Sequence, residues 1–123
     1  MAGTPPLPPP PLPPPPTGTE HAVCLVTVPT EELGTRIARA LVNEKLAACV
    51  NIIQGVRSIY SWQGQVCDDP ELLLVVKTRA ALVGALSERV KQLHAYELPE
   101  TIALPVTGGS AAYLRWVEEC TER

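Results

Sequence analysis

Two histidines, four cysteines and one short acidic connector hold most of the chemistry available to this chain. The connector reads HAYELPE over residues 94–100 and gathers His94, Tyr96, Glu97 and Glu100. Lys77 ends an apolar run, and Tyr60 and Trp62 stand just before a Gln63-Gly64 turn. A Lys77–Glu100 pair would hold an anion or a metal, or serve as an ion pair at an interface, where charges commonly set register. The cysteines, Cys24, Cys49, Cys67 and Cys120, form no CxxC pair and lack zinc-finger spacing. They read as reduced thiols of a cytoplasmic protein. No GxSxG, P-loop, GxGxxG or HExxH motif occurs. No spacing supports a Cys–His nucleophile pair with His94, and His21 is expected to be solvated. No catalytic residue is expected.

With 10 Lys and Arg against 13 Asp and Glu, the formal charge is −3. A phosphate-binding surface is basic, so nucleic acid is not the expected partner. No apolar stretch approaches the roughly 20 residues of a membrane span. There is no Phe, and only three Tyr and two Trp, so Val, Leu, Ile and Ala must build the core.

Ten of the 14 prolines fall within residues 1–16. Proline has no N–H and a fixed φ, so residues 1–20 are expected to be an extended, disordered arm of polyproline II character. LPPPP occurs twice between Leu7 and Pro16. It reads either as a ligand for a proline-binding module of the EVH1 or profilin kind, or as a low-complexity tail without a dedicated partner. The arm has no signal-peptide pattern and no Arg. Residues 21–123 are expected to fold as one domain, large enough for a core without disulfides or a structural metal.

Elements follow from periodicity. HAVCLVTV at 21–28 is a short β-branched strand ended by Pro29. Thr30 caps a helix over residues 31–47, with Leu33, Ile37 and Leu41 on its apolar face and Ala38 and Val42 beside them. Residues 49–62 and 65–78 form a long hairpin, with a bulge at Gly55 and a polar CDDP irregularity at 67–70. Its apolar run at 72–76 suits a strand covered on both sides. A second helix spans residues 79–94, a strand 101–106 and a last helix 111–119. The order β-α-β-β-α-β-α predicts an antiparallel sheet with two helices on one face. The other face has no helix, and such an apolar surface predicts oligomerisation.

Five strings carry a family resemblance: KLAACVNII at 45–53, SIYSWQG at 58–64, LLLVVKT at 72–78, HAYELPETIALPV at 94–106 and YLRWV at 113–117. Over about residues 22–120 the chain resembles the CutA family of divalent-cation tolerance proteins. The resemblance implies an α+β, ferredoxin-like βαββαβ sandwich with an extra C-terminal helix. It also implies a homotrimer similar to the PII signalling proteins, whose long hairpins wrap onto neighbouring subunits. Tyr60, Trp62, Lys77, Tyr96, Glu97 and Glu100 would then meet at an inter-subunit cleft.

Bacterial members resemble copper-binding proteins with one Cys and two His ligands. Here those positions hold Val26 for the Cys and Leu93 for the first His, and only His94 remains. Cys24, of the same strand parity as Val26, reads either as a substitute thiol for copper or as a small buried apolar thiol without a metal role. His94 reads either as a ligand or as a solvent-side residue near a helix C-terminus. Vertebrate-type members resemble proteins implicated in anchoring acetylcholinesterase, which makes a trimeric scaffold the alternative function. A PII-like sensor of a small ligand is the third.

Overall fold

In His21–Val28 (β1), Ala22, Cys24, Val26 and Val28 are buried and the odd-numbered residues half-buried, as a two-residue strand period requires. The computed structural model describes residues 3, 6–8 and 21–123, so most of the expected arm over 1–20 lies outside the described residues. Thr30 caps Glu31–Asn43 (α1), its Oγ1 accepting the Leu33 N–H at 3.2 Å, and Glu31 and Glu32 face the positive end of the helix. The helix stops at Asn43, not at Ala47. Lys45 takes φ 60°, and the N–H groups of Leu46 and Ala47 both return to the Leu41 carbonyl. The apolar period does continue, but it tucks Leu46 and Ala47 under the core instead of extending the helix. Val42, expected beside the apolar face, is exposed.

Cys49–Trp62 (β2) and Gln65–Arg79 (β3) pair from Trp62 opposite Gln65 to Cys49 opposite Lys77, with the register shift between Ile53 and Val56. Gly55 sits in that shift at φ +79°, a conformation open to glycine. β3 continues through Arg79, where the second helix was expected to begin. Arg79 pairs with His21, and its guanidinium donates to the Thr121 hydroxyl at 2.9 Å and the Thr121 carbonyl at 2.6 Å. A 3-10 turn, Ala80–Leu82, leads into Val83–Leu93 (α2). Ile102–Pro105 (β4) and Ala111–Cys120 (α3) complete the chain, and Ser110 caps α3.

The sheet order is β2-β3-β1-β4, antiparallel throughout. This is the ferredoxin-like α+β sandwich. Cys24, Val26, Val28, Leu74 and Val76 of the sheet meet Ile37 and Leu41 of α1 and Leu86 and Val90 of α2 in one core. Strand parity puts Val23, Leu25, Leu73, Val75, Ile102 and Leu104 on the opposite face. That face is not wholly without a helix, because α3 crosses one end of it. His21 and Arg79, of the same parity, both reach α3. His21 is therefore not solvated: its side chain is 12% exposed, and Nε2 donates to the Leu114 carbonyl at 3.0 Å beside Glu118. The remainder of the face is open, with Ile102 and Leu104 about half exposed.

Candidate functional site

The α2–β4 connector folds against the distal half of the β2–β3 ribbon and borders a half-open cleft of about 810 Å³. Tyr60 and Trp62 line it from β2, Glu71 from β3, and Tyr96, Glu97 and Glu100 from the connector. Five of the six residues expected at a cleft thus come together within a single chain. Lys77 does not join them. It lies at the other end of β3, where Nζ donates to Asn51 Oδ1 and stands 3.9 Å from Cys49 Sγ. The Lys77–Glu100 pairing is not formed within the chain.

Two acidic residues complete the site. Tyr60 OH donates to Asp69 Oδ2 at 2.6 Å, and Tyr96 OH to Glu71 Oε2 at 2.7 Å. The sequence offered a usable signal for both. A two-residue turn at Gln63-Gly64 fixes the ladder so that Ser58 opposes Asp69 and Tyr60 opposes Cys67. Tyr60 then lies diagonal to Asp69 on one face of the ribbon, within reach of a long side chain. The CDDP run is therefore paired strand and not an irregularity.

The electrostatics are one-sided. Arg57, also lining the cleft, is engaged by Asp68 in a two-pronged pair, Nε to Oδ1 at 2.8 Å and Nη2 to Oδ2 at 2.6 Å. That pair holds the Asp68 carboxyl below its usual range. The hydrogen bond to Asp69 pushes Tyr60 up to about 12. Burial, then Glu71, raises Tyr96. Burial, then the Glu71 charge, also raises Glu100. A carboxyl whose folded-state pKa is raised favours folding below the ordinary glutamate range, and this contribution is lost as pH rises through the raised value. Glu100→Gln is therefore expected to raise Tm at pH 7, with the gain shrinking as pH falls towards 4, as a thermal melt series across pH would show.

His94 closes α2 and packs against Tyr96, ring centroids 4.5 Å apart and planes tilted by 39°. Its Nε2 donates to the Thr27 carbonyl at 2.7 Å, and its Nδ1 accepts the Tyr96 N–H at 3.1 Å. The first bond fills a gap in the sheet. Odd-numbered β1 residues aim backbone groups at the β4 side, as His21 O shows by accepting the Val106 N–H, but β4 pairs only with Ala22–Leu25. The imidazole takes the place of the missing strand at Thr27. Cys24 lies in the helix-side core with no exposure, and burial raises its thiol pKa, which disfavours the thiolate a metal ion requires. Val26 is equally buried, and Leu93 packs against the core. Among the described residues no three His, Cys, Asp or Glu side chains form a metal-binding group. The residues of one chain therefore do not fit a Cys–His–His copper site. No helix among them is long and apolar enough to cross a membrane.

A ferredoxin-like sandwich with an acidic, aromatic cleft beneath a long ribbon is the class these features define. The sequence profile described as CutA1 divalent ion tolerance protein matches residues 22–120, and the chain belongs to that family. It is 56% identical over 99 residues to the divalent-cation tolerance protein CutA of Thermus thermophilus, covering 80% of this chain and 96% of that one. It is 52% identical over 105 residues to the chloroplastic CutA 1 of Oryza sativa, covering 85% of this chain but 59% of the longer rice protein. The crystal structure of the Thermus protein superimposes with a TM-score of 0.81 at 54% identity, over 83% of this chain and 99% of that one.

Proposed function

We propose that the protein acts without catalysis of its own, as a homotrimer that takes up copper or another divalent cation in metal tolerance. Membership of the divalent ion tolerance family over residues 22–120 is the observation that carries this reading. The open part of the sheet supports the assembly: Leu25, Val75, Ile102 and Leu104 form an apolar surface that a single chain leaves partly wet. The four cysteines carry no disulfide, which suits a reducing compartment such as the cytoplasm.

Of the two residues expected as ligands, His94 is the better one. Its imidazole is only half-buried, and a metal needs to displace only the Tyr96 N–H to reach Nδ1. Three copies would supply three such rings. The test is a Cu(I) and Cu(II) titration of the full chain beside His94→Gln and Cys24→Ser, with mass in solution measured by sedimentation. Stoichiometric uptake lost in His94→Gln, on a particle of three chains, supports the reading. Uptake equal in all three proteins removes His94, and a monomer removes the assembly.

A second reading, a trimeric scaffold for a protein partner of the acetylcholinesterase kind, has its own observation. Tyr113 and Trp116 of α3 pack 5.4 Å apart and are each about two-fifths exposed. Exposed aromatic pairs commonly anchor partners. Trp116→Ala abolishing capture of that partner would favour the scaffold.

A further inference from the structure

The cleft under the ribbon has a charge imbalance that neither the fold nor metal uptake explains. Glu71 is 8% exposed and lines the cleft, and its carboxylate is held there by a neutral phenol, Tyr96 OH. Among the described residues no Lys, Arg or His lies within ion-pair distance of it. Glu97 and Glu100 line the same space, and Arg57, the one basic residue there, is committed to Asp68. A buried carboxylate without a counter-charge is costly, and proteins keep such groups where something binds.

The other half of the lining is aromatic. Tyr60, Trp62 and Tyr96 border the cleft and are each roughly two-fifths exposed, so their rings are available to an occupant. Aromatic faces attract cations with an apolar body, most strongly where water is thinned out. A cleft of about 810 Å³ is of the size that holds a small molecule. A bare divalent ion fits less well, because no three acidic or imidazole groups converge to coordinate it. An anion would meet the carboxylates.

We propose that this cleft binds a small alkylammonium ion, with Tyr60, Trp62 and Tyr96 around its carbon chain and Glu71 and Glu100 accepting its N–H groups. The proposal needs no metal: Tyr60, Trp62, Glu71 and Glu100 are not among the residues expected as metal ligands, although Tyr96 packs on the His94 ring. A bound ammonium ion supplies the counter-charge that Glu71 and Glu100 lack.

The probe is 1,4-diaminobutane, titrated calorimetrically into the full chain in its native assembly. Comparison ligands are 1,4-butanediol, of the same length without charge, and magnesium chloride, which supplies charge without carbon. Saturable diamine binding is expected, with neither comparison ligand matching it. Glu100→Gln is expected to weaken it about 10- to 100-fold, the loss of a charged hydrogen-bond partner. Trp62→Ala is expected to weaken it as well. Both residues are partly exposed, and circular dichroism of each variant confirms the fold. In a Trp116→Phe background, Trp62 fluorescence should follow the same titration.

Equal heats for diamine and diol would overturn the proposal. So would diamine binding that both variants leave unchanged, or no saturation at millimolar diamine. The last is the result expected if a neighbouring copy fills the cleft in the assembly.

Discussion

Leu74→Ala is expected to cost about 2–5 kcal/mol, towards the upper part of that range, in urea denaturation at fixed protein concentration. Leu74 is fully buried in β3, where Gly34 of α1 lies close over it. That approach depends on Gly34, where an added Cβ would stand 3.0 Å from Val28 Cγ2 and 3.5 Å from Leu74 Cδ2. With no side chain at Gly34 to swing into the space, the cavity left by Leu74 stays open. Against a typical total of about 5–15 kcal/mol the loss is large. A coupled outcome sharpens the prediction. Gly34→Ala alone forces its methyl against Val28. In the Leu74→Ala protein the helix has room to shift, so the double variant should lose less than the two single losses together, by about 0.5 kcal/mol or more. Additive losses would show that α1 does not rest on Leu74.

Leu25→Asp and Val26→Asp, one residue apart on β1, are expected to fail in different ways. Val26 has no exposure and points into the helix-side core. A carboxylate there has neither water nor a partner, and the chain should not fold. Leu25 points to the opposite face, between Val75 and Ile102, where a single chain leaves it half-buried. A carboxylate introduced at that position can stay hydrated in a folded monomer but not across an apolar seam between copies. Leu25→Asp should therefore keep its circular dichroism and sediment as a single chain. A folded Leu25→Asp protein still of native mass would place the assembly surface elsewhere.

Residues whose local preference and tertiary role agree were the readable ones. β1 and β2 begin and end where β-branched composition and Pro29 or Gln63-Gly64 put them. The first two helices failed at one boundary each, for a shared reason. Leu46, Ala47 and Arg79 satisfy a helical pattern locally, yet tertiary packing claims them: the core takes Leu46 and Ala47, and Thr121, just past the end of α3, takes Arg79. His21 follows the same rule, because the partners that bury it, Leu114 and Glu118, lie more than 90 residues away. At the site, the connector residues stood out by composition. Asp69 and Glu71 required the hairpin register to be carried through, and the distance of Lys77 from Glu100 required knowing where β3 ends. The part of His94 as a stand-in for a strand follows only from the shortness of β4.

That short strand also bears on the order in which the molecule assembles. The ribbon closes over two residues, Trp62 to Gln65, whereas β4 reaches β1 across about 80 residues of chain, Ala22 to Pro105. Contacts between near neighbours form first, because closing a long loop is entropically slower. The ribbon should be the first piece to zip, and docking of β4 among the last events. The connector bearing Tyr96, Glu97 and Glu100 is tied down at one end by His94 and at the other by β4. Tyr60, Trp62 and Glu71 on the ribbon are thus in place early in folding, and Tyr96, Glu97 and Glu100 join them only when β4 docks.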